Sequence, residues 1–192
     1  MSKSESAYWV LVKPLLEKVD IYTTPENYLA SIAALSQPLV NVYAAHFCLS
    51  EIHNGGFLQF FWNNTGVLEP EAVAGFTSVG MPKLAALVNE TAALLGDTYP
   101  RDRDGRWDAL VAASGRSDDD MTGIIKEIAK KDSGDKEADR AVDFYRVFVK
   151  ATEPLGFDEL DRQVWELAGT ENGGFDQAAD RYVRSTGSAE AE

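Results

Sequence analysis

The sequence predicts an all-α protein, a single-domain multi-helix bundle, on three observations. Apolar residues recur with a period near 3.6 along most of the chain. Proline stands in the first turn of one helix start after another, and glycines follow several of the apolar stripes, where helices stop. No stretch alternates with period 2 over a useful length, so no sheet is expected. With 192 residues and 21.0 kDa the chain fits one domain and is long enough for a sizeable core. Residues 1–184 read as the helical domain, and 185–192 as a disordered acidic tail.

Each element has its own signal. Tyr8, Leu11, Val12, Leu15 and Val19 share one helix face, and Pro14 within that run predicts a kink or a short first helix. Thr24-Pro25-Glu26-Asn27 reads as an N-cap followed by proline at the first helical position, starting a helix that runs through Tyr28 to Leu35. Gln37-Pro38 opens a longer helix running to about His53. Asn54-Gly55-Gly56 then marks a junction, with Asn54 or Gly55 expected in the left-handed conformation that ends a helix. Phe57, Phe60 and Phe61 fall at i, i+3 and i+4 on the next helix, which Gly66 is placed to stop. Glu69-Pro70-Glu71 and Met81-Pro82-Lys83 start two more helices, closed by Gly80 and Gly96.

The stretch from Asp97 to Gly115 is the weakest, and 97–105 is a loop or linker by composition. Ser117-Asp118-Asp119-Asp120 begins a helix that ends near Lys131. Ala141, Phe144, Tyr145 and Phe148 form one apolar stripe; Leu160, Val164, Leu167 and Ala168 form another, with Gly169 as its stop. Asn172-Gly173-Gly174-Phe175-Asp176-Gln177 repeats five of the six positions of Asn54–Gln59, but its flanks do not follow. A duplicated module and a reuse of the same turn chemistry both account for the echo; the second is simpler.

The block from Glu51 to Gly66 resembles the signature of a bacterial DNA-mimic protein family (the DMP type). Its pattern is an acid, then Asn-Gly-Gly-Phe, a Gln, two aromatics and an Asn. Here these are Glu51, Asn54, Gly55, Gly56, Phe57, Gln59, Phe60, Phe61 and Asn63. Ser78-Val79-Gly80 with the helix after Met81, and Phe157-Asp158-Glu159-Leu160-Asp161-Arg162, are similar to later family segments, so the resemblance spans residues 30–168. It implies an all-helical, usually dimeric fold without known catalysis, in a family of which at least one member imitates DNA to occupy a transcription regulator. Read from the residues themselves, the aromatic motif is structural, because buried phenylalanines at this spacing build cores.

Catalytic and metal readings fail on geometry. His46 and His53 would share a helix face, but seven residues separate them by roughly 10 Å along the axis, too far for one zinc ion. Cys48 and His46, two apart, point nearly opposite ways and cannot share a proton. Cys48, the single cysteine, reads as a buried small hydrophobe. Asp118, Asp119 and Asp120 fit a capped first helical turn better than a magnesium site, and no glycine run has phosphate-loop spacing. No enzyme and no cofactor are expected.

The formal net charge of −13 argues against direct nucleic-acid binding and against anionic membranes. No apolar run approaches the roughly 20 residues of a membrane span. Ala7 to Val12 is too short for a signal peptide and meets Lys13-Pro14, so a cytoplasmic location is expected. Acids outnumber bases by 8 to 4 in residues 1–96, 12 to 9 in 97–140 and 11 to 5 in 141–192. Duplex DNA presents about 20 charges per 34 Å turn, so mimicry requires carboxylates gathered on one side or aligned across a dimer. The acids placed for that role are Asp118, Asp119, Asp120, Glu153, Asp158, Glu159 and Asp161. Three readings stay open: a homodimeric regulator that presents acid to a basic DNA-binding protein, a helical interaction or immunity-type module with another kind of partner, and an unrecognised enzyme.

Overall fold

The structure is a computed structural model that describes residues 6–129 and 138–187, and every regular element among these residues is helical. Pro14 splits the first stripe into α1 (Ala7–Val12) and α2 (Leu15–Lys18), because proline cannot donate into a continuing helix. The Thr24 hydroxyl accepts from the Asn27 N–H and starts α3 (Pro25–Ala33).

The axis of the fold is α4 (Gln37–Trp62). Six consecutive residues, Val40 to Ala45, are buried, so this segment is wrapped by other helices all round. It packs against α5 (Glu69–Ser78) and α10 (Phe157–Thr170), and also meets α1, α3, α7 (Arg103–Ala113) and α11 (Phe175–Ser185). α6 (Pro82–Ala92) lies on α5 and α10. A buried polar knot ties three of these helices: Asn41 donates to the Ser78 hydroxyl at 3.0 Å and the Tyr182 hydroxyl at 2.8 Å. α8 (Asp118–Ala129) and α9 (Ala138–Thr152) pair through a smaller apolar cluster of Ile124, Ile128, Val147 and Ala151, against which Trp107 and Val111 pack.

The structure corrects several expectations. The junction within α4 is real, but its left-handed residue is Gly56 (φ 74, ψ −175), not Asn54 or Gly55; Gly55 is non-helical with a negative φ (φ −159, ψ 26). The second half of α4 ends at Trp62, with Asn63 as its cap, and not at Gly66. Gly66 lies in a 310 turn (Asn64–Leu68) where a Cβ would stand 2.4 Å from the Phe60 carbonyl oxygen, so the position needs glycine for close approach. α10 runs one residue past Gly169. The linker 97–105 is shorter than composition suggested, because α7 starts at Arg103 with Asp102 as its cap, bonded to the Gly105 N–H at 2.6 Å. α11 includes Ser185, the first residue of the expected tail; residues 188–192 lie outside the described residues, as do Lys131 and the side chains of Ala141 and Phe144.

Candidate partner-binding surface

The Asn-Gly-Gly-Phe block within α4 is organised by one carboxylate. Glu51 Oε2 accepts from Gln59 Nε2 at 2.8 Å and Asn63 Nδ2 at 2.7 Å, and Oε1 accepts from the Thr65 hydroxyl at 2.7 Å. One acid thereby clamps both halves of the broken helix and the turn after it. Phe57, Phe60 and Phe61 are fully buried, with Phe57 and Phe61 rings 5.7 Å apart and Phe157 within about 6 Å of both.

The break at Gly55-Gly56 leaves the Phe57 N–H without a partner in its own helix, and Asp161 Oδ1 from α10 accepts it at 2.8 Å. A Cβ at Gly56 would stand 2.2 Å from Asp161 Oδ2, so glycine is needed both for the positive φ and for the carboxylate's approach. Burial raises the Asp161 pKa, against the opposing effect of the Phe57 N–H. Two more acids act in the same way on distant helices. Glu171 accepts from the Lys83 and Leu84 N–H groups, both at 2.9 Å, at the start of α6, and Asp180 accepts from the Tyr8 N–H at 2.9 Å in α1.

The remaining acids divide into tied and free. Asp120 completes a reciprocal box with Ser117, accepting from its N–H at 2.9 Å and its hydroxyl at 2.7 Å, and these bonds lower its pKa. Glu159 bonds Arg162, which also reaches Glu166 at 3.5 Å; the guanidinium, with Gln163, pulls the Glu159 pKa down to about 2. Glu153 stands 3.9 Å from Arg116 and is largely exposed. Asp118, Asp119 and Asp158 are exposed.

Sequence reasoning missed Arg106. Its side chain is fully buried, and it donates through Nε to the Phe61 carbonyl at 2.8 Å and through its terminal nitrogens to Asn63 and Arg101 carbonyls at 2.9 and 2.6 Å. It satisfies the last carbonyls of α4, where a cation also complements the helix dipole. An arginine in a stretch of alternating charge carries no local sign of this; the only hint is its place between Gly105 and Trp107 at the head of an apolar i, i+3 pair, Trp107 and Leu110.

A groove of about 620 Å³ opens between α1, α4, α10 and α11. The outer face of α4 contributes His46, Ser50, His53 and Asn54, and α10 contributes Trp165. Its far wall is the second Asn-Gly-Gly-Phe copy, Gly173 to Gln177, so both copies of the motif border one groove. Gly174 (φ 89, ψ 156) repeats the conformation of Gly56 and delivers Phe175 to the first position of α11. His53 stacks on Trp165 at 3.8 Å and 22°, while His46 lies 6.0 and 5.0 Å from the Tyr8 and Trp9 rings. Burial lowers the pKa of both histidines. Among the described residues no three His, Cys, Asp or Glu side chains converge as a metal-binding group, and no helix is long and apolar enough to cross a membrane.

The family model described as DMP19-like protein matches residues 33–186, most of the chain. The chain belongs to the DMP19-like family. The match extends beyond the resemblance read from the sequence, which ended at residue 168, and takes in α11 with the second Asn-Gly-Gly-Phe copy. No curated protein and no solved structure matches the chain.

Proposed function

We propose that this protein is an acidic binding module that occupies a basic, DNA-binding protein, such as a transcription regulator, by standing in for DNA. Membership of the DMP19-like family carries the reading, and the net charge of −13 supports it. Asp118, Asp119, Asp158 and the outer part of Glu153 are exposed and available to a cationic surface. Asp120 and Glu159 contribute charge from fixed positions, whereas Asp161 serves mainly to hold α4 and α10 together. The same reading includes a cytoplasmic homodimer without catalysis, in which two acidic faces align to approach the charge density of a duplex turn.

Capture of partners from the native cell, followed by competition with duplex DNA, tests this function. The expected outcome is a basic protein that releases DNA when it takes this chain. A partner that holds both together, with neither weakening the other, overturns mimicry and favours an acidic helical adaptor. Light scattering tests the dimer: a 21.0 kDa particle at high concentration removes it.

A further inference from the structure

We propose that the groove between α4, α10 and α11 receives an arginine side chain of the partner. This rests on the reading above that the partner is basic. No lysine or arginine lines the groove, while the Asp176 carboxylate and the amides of Asn54 and Gln177 do. Arg181, on α11, is tied to the backbone and side-chain oxygens of Asn172. The Tyr8 hydroxyl donates to Asp176 Oδ1 at 3.0 Å and so fixes the carboxylate.

Trp165 supplies a platform. It is 54% exposed, the largest exposure of any tryptophan here, and its stacking on His53 holds the indole in place. A guanidinium is planar and weakly hydrated, so it stacks on an indole face while its N–H groups reach oxygens around it; an ammonium does this less well. The protein already makes one such contact internally, Arg103 over the Trp62 ring at 5.4 Å. Since burial favours the neutral form of His46 and His53, the groove wall adds no opposing cation at neutral pH.

The test uses the isotopically labelled full chain, titrated with L-argininamide, L-lysinamide and L-citrullinamide and followed by amide and indole NMR shifts. Argininamide should move the Trp165 indole N–H and the Gln177 amide saturably, with a dissociation constant on the order of millimolar. Lysinamide should bind more weakly, and citrullinamide, which keeps the α-ammonium group but lacks the side-chain charge, at least about ten-fold more weakly. Trp165→Leu should weaken argininamide binding about five-fold or more. If that variant melts lower than the parent, Asp176→Asn, which keeps an acceptor for Tyr8, takes its place and should weaken binding as well. Equal shifts with citrullinamide, shifts outside the groove, or folded variants that bind like the parent each overturn the proposal. So does a switch from dimer to monomer in Trp165→Leu, which would assign the groove to a second copy. The two readings fail separately. Argininamide binding without any partner that competes with DNA defeats the mimic and leaves the groove; DNA competition undisturbed by the groove variants defeats the groove and leaves the mimic.

Discussion

Glu69 is 3% exposed at the first turn of α5, and its Oε1 has no hydrogen-bond partner among the described residues. Burial raises its pKa to about 7, with Arg101 opposing and Glu71 adding to the shift. A carboxyl whose folded pKa lies above its unfolded value stabilises the fold below about pH 4.5, and that contribution is lost as pH rises to about 7. The size is of order 3 kcal/mol. Glu69→Gln should therefore melt higher than the parent at pH 8 and nearly level with it at pH 4, as read by thermal denaturation across that range. His46 and His53 act in the opposite direction, since their lowered pKa values favour the fold as pH rises, so the parent–variant difference is the quantity to measure. Phe60, fully buried within the Glu51 clamp, gives a plainer test. Phe60→Ala should cost about 3–5 kcal/mol in chemical denaturation, a large share of a typical stability of about 5–15 kcal/mol. A variant that melts like the parent but loses binding would make the block a surface site.

At the scale of elements, the fold is stitched by carboxylates that cap helices far away in sequence. Asp161, Glu171 and Asp180 each serve the N-terminus of a helix other than their own. Asp161→Ala should cost about 0.5–2 kcal/mol, the usual loss of a helix cap, and should loosen α10 from the second half of α4; faster hydrogen exchange at the Phe57 amide would report it. Asp158→Ala, exposed three residues earlier, should stay within about 0.5 kcal/mol of the parent. The contrast explains what the sequence disclosed. Thr24 and Ser117 were legible as caps because each bonds the helix it starts, within three residues. The partner of Asp161 lies 104 residues away, so its spacing resembles that of any acid in a first turn. Arg106 was hidden for the same reason: its acceptors at Phe61 and Asn63 come from another helix. Helix starts and the phenylalanine stripe follow local rules and were readable. The Glu51 clamp needed the break at Gly56 before Gln59, Asn63 and Thr65 could converge.

Across the whole molecule, the placement of the acids decides how much of the net charge a partner meets. Screening confines each exposed charge to about 8 Å at physiological salt, so distant acids do not add to a contact. Carboxylates that cap helices or pair with arginine are partly spent within the chain, as at Asp161 and Glu159. Asp118 and Asp119 on α8 and Asp158 on α10 keep theirs for the outside. Reversing these three to lysine moves the formal charge by two units at each site and removes no hydrogen bond that holds the fold. Each single reversal should matter little, because exposed pairs contribute about 0–1 kcal/mol. The triple variant should lose affinity for a basic partner by more than the singles predict if the sites share one contact, and should flatten the dependence of affinity on salt. Circular dichroism should match the parent, and melting should fall by no more than the lost helix-dipole contacts in the first turns of α8 and α10 account for, about 0.3–1 kcal/mol per charge, which separates a lost interface from a lost fold. A triple variant that binds with unchanged affinity and an unchanged salt slope would move the contact away from these three acids, toward the aromatic groove or the flank around Glu153.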